Sequence, residues 1–345
     1  MENKEIPAID VREPAEDKNR FHYIDAILTL LAVTVMSFYL YGIRVLWLLL
    51  AALAAALAAE FICDRMAGKK RIPKRDYSWV VTALITVMLM PATAPVWMAV
   101  FSVLFGLCVA KHPFGGTGKN IFNPAAAGIA FCAICWPDKM LSYPVPLSLQ
   151  GVTDPALISY GISPASVLRV GGTPKIDYFD ILLGKFAGPL GATCMIVLGA
   201  CLLYLLLRRK VSSFIVFPAF AVVFFLCGFF PRVVTGESAS VIYEFSSGAL
   251  VFGVIFMAND PATMPDTRGG RLFYGILIGL ITVLMRRFGA IELEFAFVIL
   301  LANVFAGSCD SYAAFLGTKW NGFLQRSRKK HRAAAGKKKA GVLNA

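Results

Sequence analysis

The chain has 345 residues, of which 58% are hydrophobic, and a mean hydropathy of +0.68. Repeated apolar runs of bilayer length exclude a soluble globular protein. The formal charge of +13 collects in loops and tail, which points to membrane topology and anionic headgroups rather than nucleic acid.

Residues 1–22 form a leader of mixed charge, including Glu2, Asp10, Glu13 and Asp17, without the purely basic start of a signal peptide. Ten apolar segments follow, at about 24–42, 44–63, 78–91, 96–111, 121–137, 190–207, 213–230, 241–258, 270–286 and 290–307. They divide the chain into a first five-helix repeat (23–137), a polar loop (138–186), a second five-helix repeat (187–317) and a basic tail (318–345). The expected fold is therefore all-α and membrane-embedded, with about ten transmembrane helices in two inverted repeats and interrupted half-helices.

The repeat reading rests on two blocks that align without a gap. SWVVTALITVMLMPATAP starts at Ser78 and GALVFGVIFMANDPATMP starts at Gly248; both end in Pro-Ala-Thr-x-Pro. Each is followed by an apolar segment and then Phe-Gly, at Phe114-Gly115 and Phe288-Gly289. Five segments per half forces the second copy to enter from the opposite side, and paired helix interruptions point to a central site. With the N-terminus inside, Arg65, Lys69, Lys70, Arg71, Lys74, Arg75, Lys111, Lys119, Arg208, Arg209, Lys210, Arg268, Arg271 and the tail fall inside. Both termini are then cytoplasmic, and the 138–186 loop faces outward.

The most polar interruption is FGGTGKNIFNPAAAG, at 114–128. Gly115, Gly116 and Gly118 free its backbone, and Asn120 and Asn123 follow before Pro124. Irregular backbone at membrane depth needs protein or a cavity to satisfy its polar groups, so the segment is a helix entry or part of a site. Asp260, beside Asn259 in MANDP, is either an intramembrane acid on an ion path or a cap on the break. Glu60, near Asp64 and Arg65, reads as a headgroup-level ion pair, and Glu292 and Glu294 as interfacial. Gly184, Gly188 and Gly191 allow close helix approach or room for a planar ligand. The Cys132–Cys135 CxxC lies within the apolar FCAICW and reads as small core residues rather than a metal or redox motif. No hydrolase triad, zinc spacing or Walker loop is evident, and no metal site is expected.

GGTGKNIFNPAAAGIAF, DYSWVVTALITVMLMPATAPVW and FMANDPATMPDTRGGRLFYG resemble the D subunit of Rnf-type ion-translocating oxidoreductases. They are also similar to the B subunit of the sodium-pumping NADH:quinone reductase. The resemblance covers roughly residues 20–310. It implies a ten-helix flavoprotein component of a bacterial inner-membrane redox complex, with other membrane and peripheral subunits as partners and membrane lipid around it. Such complexes couple electron flow, of the ferredoxin/NAD type, to Na⁺ or H⁺ translocation, so the chain would not be catalytic alone. The resemblance also implies FMN esterified through its phosphate to a hydroxyl in the 138–186 loop. A further non-covalent flavin, riboflavin or FMN, would sit within the membrane part.

In this sequence the attachment motif is altered. Tyr160-Gly161-Ile162-Ser163-Pro164-Ala165-Ser166 places Ser166 where the family has its acceptor threonine. Thr193, in Leu190-Gly191-Ala192-Thr193, is the weaker alternative, and Ala192 stands where relatives carry a glutamate. The altered motif leaves two other readings open: a small-solute channel or transporter built on inverted repeats, and a flavin-free scaffold within a redox complex.

Overall fold

The computed structural model describes residues 16–68, 77–148, 158–233, 237–289 and 293–319; side chains of 16–22 and 237–239 are outside the description. The cations expected at Lys69, Lys70, Arg71, Lys74 and Arg75, together with Glu292, almost all of the basic tail and most of the leader, lie outside these residues.

The described residues fold into helices without a strand. In chain order these are α1 (Glu16–Tyr41), α2 (Arg44–Met66), α3 (Ser78–Met88), α4 (Val96–Phe105, continued by a π-helical turn at Gly106–Lys111) and α5 (Pro124–Cys135). The connecting loop carries α6 (Pro137–Met140), α7 (Pro164–Arg169) and α8 (Tyr178–Leu183). The second half has α9 (Met195–Leu207), α10 (Ser213–Phe229), α11 (Glu237–Ser246), α12 (Leu250–Phe256), α13 (Arg268–Phe288) and α14 (Glu294–Val304). A bend of 52° leads from α14 into α15 (Ala306–Lys319).

Helix is present in all ten apolar segments, with one correction. The eighth, 241–258, is divided into α11 and α12, because Gly248 takes φ 62° and turns the chain between them. Four helices among the described residues are long and apolar enough to cross a bilayer: α1 from Tyr23, α2, α4 with its extension, and α13. The bent α14–α15 pair makes a fifth if counted as one span. At 1.5 Å per residue, the 11-residue α3 and the 7-residue α12 rise roughly 11–17 Å, short of an apolar layer of about 30 Å. The shortfall has a local cause. Prolines at 91 and 261 leave no amide to continue the ladder, and chain outside the helices supplies the remaining depth.

Both breaks are held by chain from elsewhere. After α3, Leu190 N–H donates to the Met90 carbonyl at 3.0 Å, and Gly191 N–H to the Met88 carbonyl at 2.7 Å. After α12, the Asn259 side chain accepts from Ser212 N–H at 2.8 Å and donates to the Val254 carbonyl at 2.7 Å. One apolar core, including Leu84, Met88, Phe252 and Phe295, runs through both halves. A smaller cluster of Leu168, Ile181, Phe186, Val233 and Tyr243 docks the connecting loop onto α11.

Gly191 is explained by close approach rather than by room for a ligand. A Cβ there would stand 2.6 Å from Met88 Cβ and 3.1 Å from Phe252. Gly191→Ala is therefore expected to destabilise the chain by about 1–3 kcal/mol through overpacking. Gly199→Ala, where nothing lies within 4 Å, should cost nothing. Thermal unfolding of both purified variants in one detergent separates the two; equal unfolding temperatures would refute the packing account.

Candidate functional site

A cavity lies where chain from the first half meets the second break. Its lining includes Tyr23 of α1, Ser78 and Thr82 of α3, Lys111 of the π-helical turn, and Asn120 and Asn123 from the loop before α5. Phe256, Asp260 and Pro261 complete it from the second break. The two sequence interruptions, 114–128 and 257–265, thus converge on one space.

The loop before α5 owes its shape to glycine. Gly115, Gly116 and Gly118 all have positive φ, at 110°, 90° and 81°. They shape the turn but do not line the cavity. Asn123 is structural, its side chain capping α5 by accepting Ala126 N–H at 3.1 Å. Its own N–H donates to Asn303 at 3.0 Å, and Asn303 in turn donates to the Tyr274 hydroxyl at 2.8 Å. Asn120 donates to the Phe122 carbonyl at 3.0 Å. Asp260 is half-buried and accepts Ala262 N–H at 3.3 Å, which closes the break, while its carboxylate also borders the cavity. Asn259 is spent on the tie to Ser212 and Val254 and is not part of the cavity wall.

Sequence reasoning missed the charges that fix this site. Glu60 is 2% exposed and receives Lys111 Nζ on both carboxylate oxygens, at 2.9 and 3.0 Å. His112 Nε2 lies 3.1 Å from the same carboxylate, and Lys111 also donates to Ser78 Oγ at 2.9 Å. The pairing of Glu60 with its sequence neighbours is thereby corrected: its partner is a buried lysine from the end of the fourth segment. The available signal was a carboxylate following the alanine-rich run of α2, one turn before Asp64, and a lysine ending an apolar run.

A matching cluster stands at the start of α12. Arg286 Nε donates to Glu294 at 2.7 Å, and its other nitrogens reach Glu244 and the Ser247 carbonyl. Arg232 pairs with Glu244 as well. Glu294 and Arg286 are 3% and 8% exposed, so both members of this pair are buried within the protein.

The two candidate attachment hydroxyls differ sharply. Ser166 sits half-exposed in α7, where Ser163 accepts its N–H at 3.1 Å and the Ser166 hydroxyl donates to the Ser163 carbonyl at 2.9 Å. Arg169, one turn along α7, lines a cleft with Arg232 and Arg286. Thr193 is 0% exposed and lies beside the buried Tyr41 hydroxyl, so a phosphoester there would have to displace the core. A Cβ at Gly188 would come 3.0 Å from Thr193 Cγ2, so that glycine too serves close packing.

Comparison with known proteins bears on the site. A model of the NQR2, RnfD, RnfE family matches residues 15–315. The chain is 31% identical over 304 residues to the D subunit of the ion-translocating oxidoreductase complex of Shewanella piezotolerans, covering 80% of this chain and 87% of that one. It is 30% identical over 320 residues to the corresponding protein of Actinobacillus succinogenes, covering 83% and 90%. It is 30% identical over 287 residues to the D subunit of the Na⁺-translocating ferredoxin:NAD⁺ oxidoreductase complex of Acetobacterium woodii, covering 81% and 84%.

Lys111→Met is expected to destabilise the chain by about 3–5 kcal/mol, since it strands the Glu60 carboxylate in the interior. Lys111→Met combined with Glu60→Leu should recover most of that loss. Urea or thermal unfolding of the three proteins in detergent measures it, and a double variant no better than the single would overturn the pairing.

Proposed function

Because the chain belongs to the NQR2, RnfD, RnfE family, we propose that it is a bacterial inner-membrane component of a complex coupling electron transfer to Na⁺ or H⁺ translocation. The observation that carries this reading is the convergence of both interruptions on the cavity bordered by Lys111, Asn120 and Asp260. Other membrane and peripheral subunits would supply the electron donor and acceptor.

The proposed arrangement is two inverted five-helix halves with both termini cytoplasmic. One structural parallel supports it. In each half a buried cation near the Phe-Gly turn reaches the start of the broken helix: Lys111 meets Ser78 of α3, and Arg286 meets Ser247 just before α12. Ser78 and Gly248 are the residues at which the two sequence blocks align.

Ser166 is the proposed FMN acceptor. Its residue is half-exposed, and Arg169, one turn along α7, offers a guanidinium for a phosphate, whereas Arg232 is already held by Glu244 and the Arg286 carbonyl. The cavity, with apolar walls of Val81, Ile85 and Phe256 and a polar edge of Thr117, Asn120 and Asp260, is about 40 Å³, which has room for water or a small cation but not for the ring of a non-covalent flavin, riboflavin or FMN. A bound flavin would supply the redox chemistry. The cavity residues of this chain would hold a cation or a proton at the Asp260 carboxylate, with Lys111 setting the local charge. Asn259 acts in this scheme only by bracing the break.

Flavin chemistry also separates this function from a transporter or a scaffold. The chain purified from its native membrane should show in-gel flavin fluorescence after denaturation, with an FMN-sized mass on the Ser166 peptide. Ser166→Ala should abolish that signal, Ser166→Thr should keep it, and Thr193→Ala should leave it intact. A chain without flavin, covalent or bound, would refute the redox role.

A further inference from the structure

At the helix ends that meet the second break, a broad groove is lined by Arg208, Arg209 and Lys210 at the end of α9 and by Arg268 and Arg271 at the start of α13. Ser212 and Ser213 form part of its floor, with Pro261 and Met264 of the break. No acidic side chain belongs to the lining. Asp25 of α1 approaches Arg208 and Lys210 from outside the groove, at 3.4 and 3.5 Å. Asp310 of α15 accepts the N–H groups of Asp266 and Thr267 near Arg271, whose Nε donates to the Pro265 carbonyl. Among the described residues, Arg209 and Arg268 enter no ion pair, and both are exposed.

The backbone at Arg209 adds a second observation. Its φ is 55°, in the left-handed region. Lys210 N–H bonds the Leu205 carbonyl at 2.9 Å and Arg209 N–H the Leu206 carbonyl at 3.0 Å, the pattern that closes a helix at a position glycine ordinarily fills. An arginine held in the conformation that suits glycine indicates that its side chain serves a purpose. The turn also delivers three successive cations to one rim.

The groove is flanked by apolar side chains. Leu207 is 76% exposed and Phe217 59%, and both line it; Phe214 is 44% exposed beside them. A cationic pocket that merges with an apolar flank matches a ligand with an anionic head and a hydrocarbon tail.

We propose that this groove binds one anionic phospholipid, its phosphate held by Arg209 and Arg268 and its acyl chains lying along Leu207 and Phe217. Binding there ties α9 and α10 to α13 and to the second break, independently of any flavin. A soluble anion would use the charges but leave the flank bare, and an acidic protein surface would not need it.

The test uses the full chain in detergent micelles doped with dioleoyl phosphatidylglycerol or, at equal amount, dioleoyl phosphatidylcholine. Native mass spectrometry then counts retained lipid. The wild type should retain phosphatidylglycerol selectively. Arg209→Gly should lower that retention about fivefold and Arg209→Gly with Arg268→Gln about 25-fold, following the usual attraction per cation. Because glycine suits the turn, Arg209→Gly should unfold no earlier than wild type in phosphatidylcholine, which separates lost binding from lost folding. Equal retention of the two lipids, or wild-type retention in the double variant, would overturn the proposal. So would displacement of the lipid by inorganic phosphate at millimolar concentration. A double variant that keeps its lipid but loses its partner proteins on purification from the native membrane would reassign the groove to a protein partner, also against it.

Discussion

A broken helix inside hydrocarbon exposes amides and carbonyls that no water can satisfy, and each costs several kcal/mol if left bare. The rest of this architecture depends on meeting that constraint twice. At the first break, Leu190 and Gly191 bring their own backbone N–H groups to Met90 and Met88. At the second, a side chain does the work, because the Asn259 amide joins the α9–α10 turn to the body of α12. The first solution demands that two backbones approach closely, hence glycine at 191 against Met88. The second demands a buried amide with both ends used. Each break is thereby fastened to chain distant in sequence, and each half needs the segment between α8 and α10 to complete it.

The buried ion pairs follow from the same geometry. Helices that stop early leave polar ends inside the protein, and Lys111 and Arg286 occupy those positions with carboxylates as partners. Burying such pairs gains little net stability over apolar packing, yet losing one partner is costly. Their contribution is therefore better understood as fixing which helix end meets which. Lys111 in particular joins α2, α3 and the chain leading to α5 at one point.

The helical segments and both breaks are legible in the sequence because apolar length, glycine and proline act locally. The 114–128 turn is legible for the same reason, down to the glycines with positive φ. The partners are not. Nothing near Glu60 in sequence indicates Lys111, 51 residues away, so sequence alone pairs Glu60 with its neighbours Asp64 and Arg65. Asn123 and Asn259 illustrate a related limit. Their residue type announces a polar role at a break, but whether an asparagine faces a ligand or a backbone amide depends on tertiary contacts. The choice between Ser166 and Thr193 is likewise unreadable until burial distinguishes a half-exposed hydroxyl from one sealed in the core.

The π-helical turn at Gly106–Lys111 sets the phase of everything after it. Such a turn holds one residue more than an α-helical path of the same length, and each residue corresponds to about 100° around the axis. Lys111 therefore faces Glu60 only while the surplus residue is kept. Shortening the segment by a single residue would swing the ammonium about a quarter-turn away, even with every remaining side chain unchanged. In this stretch the count of residues, as much as their identity, determines where the charge goes.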